Sequence, residues 1–135
     1  MDGLMARLLM ATTSSPETPR GDTTRSIRNG VFKTKFDSNE DPGTVANVAA
    51  AAVNLFYLTN VMHDISYQYG FTESAGNFQK DNFGKGGQGS DPVIINVLDT
   101  SSVDGAEFFT PPDGQPGEMS LYRFHYRYPQ SQCWL

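Results

Sequence analysis

What the chain lacks narrows its identity first. It has a single cysteine, Cys133, so no disulfide can form within it, and cysteine usage does not reveal the compartment. It has only two histidines, His63 and His125. Neither is followed by a second histidine one helical turn on. The His-Glu-x-x-His pattern, which sets two imidazoles and a general base on one helix face, is therefore absent. One cysteine and two histidines also exclude a structural zinc finger or ribbon. Basic residues are few: 10 Lys and Arg stand against 15 Asp and Glu, a formal net charge of −5, with no cationic stripe. Nucleic acid needs clustered Lys and Arg to neutralise its phosphates, so no nucleic-acid partner is expected. No uninterrupted apolar run reaches the roughly 20 residues that cross a bilayer, so no membrane contact is expected. Asp2 and Arg7 spoil the first eleven residues as a secretory leader, so no signal peptide is read there.

The apolar share is 38%, low for a compact domain, and 13 Gly and 8 Pro are scattered mostly outside one clear helix. This points to a loop-rich α+β chain with a limited core. Residues 1–30 show no helical or strand period and read as a mobile N-terminal arm. Val31 to Phe36 reads as a short strand, with Phe32 and Phe36 on one face. From Thr44 to Tyr69 the stripe Val48, Ala52, Leu55, Leu58, Met62, Ile65, Tyr69 steps by three or four, the mark of a helix. Thr44 is the expected N-cap and Gly70 the expected stop. A second stripe, Val45, Ala49, Val53 and Phe56, makes the helix apolar nearly all round, which predicts burial on several sides. Pro92 to Leu98 reads as a buried strand, Ala106 to Thr110 as a second, and Met119 to Tyr128 as a third. Pro111 to Gly117 is a tight reversal between them.

No complete catalytic constellation is visible. Gly84-Lys85-Gly86-Gly87-Gln88-Gly89 matches a dinucleotide fingerprint by letter, but a strand follows it where a helix is required, so it reads as a flexible loop. Gly-x-Ser-x-Gly and an EF-hand loop are both missing. His63, beside Asp64 on the polar flank of the helix, reads as a fastening group that bonds a nearby carbonyl or carboxylate. No catalytic residue and no metal ligand is assigned.

Three blocks carry a resemblance. The first runs from Asn54-Leu55-Phe56-Tyr57 through His63-Asp64 to Tyr67-Gln68-Tyr69-Gly70-Phe71. The second is Ala75-Gly76-Asn77-Phe78-Gln79 with Asn82-Phe83-Gly84. The third is Ala106-Glu107-Phe108 followed by Thr110-Pro111-Pro112-Asp113-Gly114-Gln115-Pro116-Gly117. In this order they resemble the fungalysins, extracellular zinc metalloproteinases of fungi. The resemblance implies the N-terminal subdomain of a thermolysin-like fold, with one long buried helix and a small, mostly antiparallel sheet. It implies three segments: the arm 1–30, a partial catalytic domain 31–128 and an atypical tail 129–135. Zinc is the family's cofactor, but its ligand motif has no counterpart here, so no zinc is expected on this chain and it is expected to be inactive alone. The implied partners are a peptide or protein substrate, the propeptide and the helical C-terminal subdomain, and the implied location is extracellular. In thermolysin-like proteases an edge strand holds substrate as an added strand. That role falls on Ala106 and Glu107, where Asp104-Gly105-Ala106 replaces the family's Asn-Asn-Ala. The alternative from another class is a non-catalytic binding or decoy module that pairs with a full-length relative or a propeptide.

Overall fold

A computed structural model describes Leu9–Thr13, Asp22–Thr23 and residues 33–124. The elements, in chain order, are β1 (Leu9–Thr13), β2 (Asp22–Thr23), α1 (Val45–Gln68), a 3-10 turn (Glu73–Ala75), β3 (Val93–Val103), β4 (Ala106–Phe109) and β5 (Glu118–Arg123). One helix on one sheet makes the class α+β, as expected.

The helix begins and ends where local chemistry says it must. Thr44 has extended backbone and its side chain accepts from the Asn47 N–H, satisfying one of the free donors of the first turn. At the other end, the Phe71 N–H reaches the Ser66 carbonyl at 3.1 Å and the Gly70 N–H reaches the Tyr67 carbonyl at 3.2 Å. With Gly70 at φ 101, these paired bonds close the helix in a Schellman motif. The Asn47 side chain pins the preceding loop: it accepts from the Asp37 N–H at 2.8 Å and donates to the carbonyls of Asp37 and Asp41. That loop, Lys33 to Phe36 included, is not a strand. Its polar groups are drawn to the helix start rather than to a sheet neighbour, which overturns the strand expected over 31–36; Val31 and Phe32 lie outside the described residues.

The sheet order is β2-β1-β3-β5-β4. It is mixed rather than mostly antiparallel: β3 pairs parallel with both β1 and β5, while β1–β2 and β4–β5 are antiparallel. The reason is topological. The β4–β5 hairpin folds back so that β5, not β4, lies beside β3, which leaves β5 parallel to β3. The span 1–30 thus supplies two paired strands, and the rest of it lies outside the described residues. Tyr128 and the tail 129–135 also lie outside them.

The core is Val48, Ala51 and Ala52 of α1 against Val93, Ile95, Val97 and Leu98 of β3. Leu55, Phe78, Met119 and Leu121 close over it. Leu98 sits at φ 52, and the β3–β5 register shifts there, a β-bulge that keeps Leu98 in the core and turns Asp99 to the far face. The expectation of a helix buried along its length fails past Leu55. Leu58 is 45% exposed, Met62 58% and Ile65 44%, because the sheet covers only the first half of α1. By length and composition α1 could also cross a membrane. Its first half is instead a core helix packed on the sheet.

Candidate functional site

β4 ends the sheet. Among the described residues it pairs with β5 alone, and all four of its residues are exposed. Its register sets Ala106 opposite Leu121, Glu107 opposite Ser120, Phe108 opposite Met119 and Phe109 opposite Glu118. The Tyr122 N–H donates to the Gly105 carbonyl at 3.0 Å. Antiparallel ladders alternate, so this bond turns the backbone groups of Glu107 and Phe109 inward to β5 and those of Ala106 and Phe108 outward to the open edge. Of the two residues singled out from sequence, Ala106 therefore presents its backbone to solvent. Glu107 presents only its side chain. Sequence reasoning missed Phe108, and the signal for it was parity: it stands two residues from Ala106 on the same strand.

The faces beside this edge differ. Ala106 and Phe108 share the core face with Met119 and Leu121. Phe108 meets the Phe78 ring edge-on at 5.7 Å, and Phe78 meets Phe71 at 6.3 Å. On the opposite face Asn96, Ser120 and Glu107 align across three strands. There the Asn96 amide donates to Glu118 at 2.6 Å, and the Ser120 hydroxyl donates to Asp99 at 3.1 Å. The Glu107 carboxylate lies against the Tyr122 hydroxyl, and this contact is the main reason that phenol titrates above its ordinary value.

Behind the edge, the glycine-rich stretch is not a flexible loop but a hydrogen-bonded one. The buried Asn82 amide donates to the carbonyls of Gly86 and Gln88. The Gln88 N–H donates to Asp113 at 2.9 Å, and the Gly114 N–H donates to buried Asp91 at 3.1 Å, locking the loop to the reversal before β5. Gly87 has φ 60, and a Cβ there would overlap the carbonyl oxygen of Glu73. Its glycine is thus required by close approach.

His63 is fastened on both sides. Its Nε2 accepts from the Asn77 amide at 3.2 Å, so Nδ1 carries the proton and donates to Asp64 at 3.3 Å. The expected neighbouring carboxylate is there; the amide of Asn77 was not foreseen. The Asn77 amide also donates to Gln79 at 2.8 Å, and Gln79 continues the chain to Glu73. Glu73 also takes the Tyr67 hydroxyl at 2.9 Å and the Lys85 ammonium at 3.3 Å. Burial pushes the Glu73 carboxyl up, but its own backbone N–H, Tyr67 and Lys85 outweigh that and hold it below its ordinary value. This network ties α1 to the loop that follows. His125 lies outside the described residues.

The family model for fungalysin metallopeptidases matches residues 8–135 of this chain. The chain belongs to the fungalysin family. The match takes in most of the span expected to be an arm and all of the expected tail. Among similar proteins is "Extracellular metalloproteinase 5" of Arthroderma gypseum, 48% identical over 97 residues, which is 72% of this chain and 15% of that protein. "Extracellular metalloproteinase MEP" of Pyricularia oryzae is 55% identical over 80 residues, 59% of this chain and 13% of that protein. "Extracellular metalloproteinase mep" of Aspergillus flavus is 55% identical over 91 residues, 67% of this chain and 14% of that protein. The chain thus spans about a seventh of the length of these relatives. A fungalysin carries zinc, but the described residues do not fit one: no three of their His, Cys, Asp and Glu side chains come together to hold a metal. His63 has both ring nitrogens engaged. No catalytic step through zinc is therefore derived from them.

Proposed function

We propose that this chain is the N-terminal subdomain of an extracellular zinc metalloendopeptidase and forms one wall of its substrate cleft. The observation that carries the proposal is the open edge of β4. A peptide lying antiparallel to β4 exchanges main-chain hydrogen bonds with Ala106 and Phe108, whose groups face outward, and becomes one more strand of the sheet. The pinned reversal before β5 and the aromatic contact of Phe108 with Phe78 hold that edge in place, so little ordering is needed on binding. The exposed stripe Leu58, Met62 and Ile65 is the surface on which the remainder of the protease packs. The zinc ligands and the general base belong to sequence outside these 135 residues. The chain by itself therefore binds peptide weakly and cleaves none.

The test has two arms. Purified chain incubated with casein and zinc is expected to release no fragments. Chelator-sensitive cleavage would sink this part of the proposal. In the second arm, extended peptides are titrated into isotope-labelled chain, and the amides of Ala106 and Phe108 are expected to shift most. A module that works by pairing with a relative would bind the full-length relative through the α1 stripe and leave β4 silent.

A further inference from the structure

We infer that the Glu107 side chain makes the edge selective, favouring a cationic residue at the position of the bound strand that lies opposite it. The inference rests on β4 receiving an antiparallel peptide strand, as proposed above.

The register carries the argument. The Glu107 N–H and C=O are committed to β5, so toward an added strand Glu107 stands at a non-hydrogen-bonded position. Residues facing each other at such positions come closest, with Cα atoms about 4.5 Å apart and side chains in contact on one face. The residue opposite Glu107 thus projects its side chain onto the same face as Glu107. That face is acidic. Glu107 is exposed on it, Glu118 and Asp99 stand behind, and Arg123, the basic residue of β5, is turned away to Asp41 at 2.8 Å. The Asn96 amide donates to Glu118 and the Ser120 hydroxyl to Asp99, which holds these two carboxylates in place beside Glu107. Tyr122 lies against Glu107 and brings no charge. A Lys or Arg on the added strand brings a counter-charge to Glu107, and an Asp or Glu there meets like charge. Ala106 and Phe108 place their side chains on the core face, so they do not contribute to this choice.

The experiment uses the full chain and three heptapeptides, Thr-Val-Thr-Xaa-Thr-Val-Thr, with Xaa as Lys, Ala or Glu. Binding is read from the Ala106 and Phe108 amide shifts at low and high salt. The Lys peptide is expected to bind about two- to five-fold more tightly than the Ala peptide, the span of one cross-strand charge pair. The Glu peptide is expected to bind most weakly, and 0.5 M salt is expected to compress the series, as about 10 Å of screening length at 0.1 M shrinks further. The Glu107→Gln chain is expected to bind Lys and Ala peptides alike. A Glu107→Lys chain should reverse the order, which guards against a loss of preference caused by misfolding. If all three peptides shift Ala106 and Phe108 equally, the edge receives peptide but Glu107 does not select, and this inference is overturned alone. If no peptide shifts those amides, the edge-strand reading is overturned and the inference falls with it.

Discussion

The two halves of α1 both carry apolar residues at helical spacing, small and alanine-rich in the first and larger in the second, and they meet different surroundings. The first half carries Val48, Ala51 and Ala52, fully covered by β3 and its neighbours. The second half carries Leu58, Met62 and Ile65 at the same helical spacing, each more than two fifths exposed. Full burial of a side chain such as Val, Leu, Ile or Met contributes roughly 1.5–3 kcal/mol, and each smaller alanine methyl about 0.8 kcal/mol. The first half realises its share of that stabilisation within this chain, whereas the second half leaves much of its apolar surface exposed. The contrast teaches that helical periodicity reports which face is apolar, and that the reach of the sheet decides how much of that face is covered.

Breaking the covered side is expected to have the largest effect. Ile95→Ala removes a fully buried side chain beneath the first half of α1 and is expected to cost about 2–5 kcal/mol in chemical denaturation. A loss below about 1 kcal/mol would mean that this core is not formed as described. Asn47→Ala comes next. It strands the Asp37 N–H and the carbonyls of Asp37 and Asp41, and about 1–3 kcal/mol is expected from thermal melts. On the uncovered side, Ile65→Ser is expected to change stability of the isolated chain by about 0.5 kcal/mol or less. The same substitution should weaken association with the rest of a full-length relative, read by co-purification. An equal loss for Ile65→Ser and Ile95→Ala would erase the contrast.

The pH dependence sharpens a second comparison, between two buried carboxyls. Burial raises the Asp91 pKa, with the nearby Asp113 charge adding to it, whereas Glu73 ends below its ordinary value. For Asp91, the folded state holds its proton more tightly than the unfolded state. Its contribution is therefore full below the ordinary carboxylate pKa of about 3.9 and is lost as pH rises through the raised folded value. For Glu73 the sign reverses: its contribution is present above the ordinary carboxylate range and is lost as pH falls through the lowered folded value. Asp91→Asn should thus gain relative to the parent chain as pH rises from acid toward neutral, and Glu73→Gln should lose. Melting curves across that window check both, and parallel curves for all three proteins would refute the assignment. Arg123→Gln is expected to have a small effect, within about 1 kcal/mol and vanishing in salt, because its pair with Asp41 is exposed on both sides.

Much of this architecture is legible along the chain. Thr44 and Gly70 bracket α1 because capping is a local affair of a few backbone groups. The strand at Val93 is readable from its branched residues between turn signals, but its length is not. Its continuation past the Leu98 bulge depends on pairing with Tyr122 and Arg123. Leu9–Thr13 gives no strand signal of its own, because its partner, β3, lies some eighty residues away. The glycine-rich loop reads as flexible since no local pattern reveals that Asn82 and Asp113 tie it down. At the candidate site, Ala106 and Glu107 come from resemblance to the fungalysins. Their different roles come from ladder parity.

By itself the sequence determined the helix and its limits, the places of three strands (β3, β4 and β5) and membership of a metallopeptidase family, because caps, periods and motifs act over a few neighbouring residues. Only the tertiary structure decided that β5 lies between β3 and β4, that β4 is left with an open side, and that half of a continuous apolar stripe stays uncovered. Those outcomes depend on which distant segments meet, and a pairing across the chain is stabilised by backbone groups that every residue carries alike.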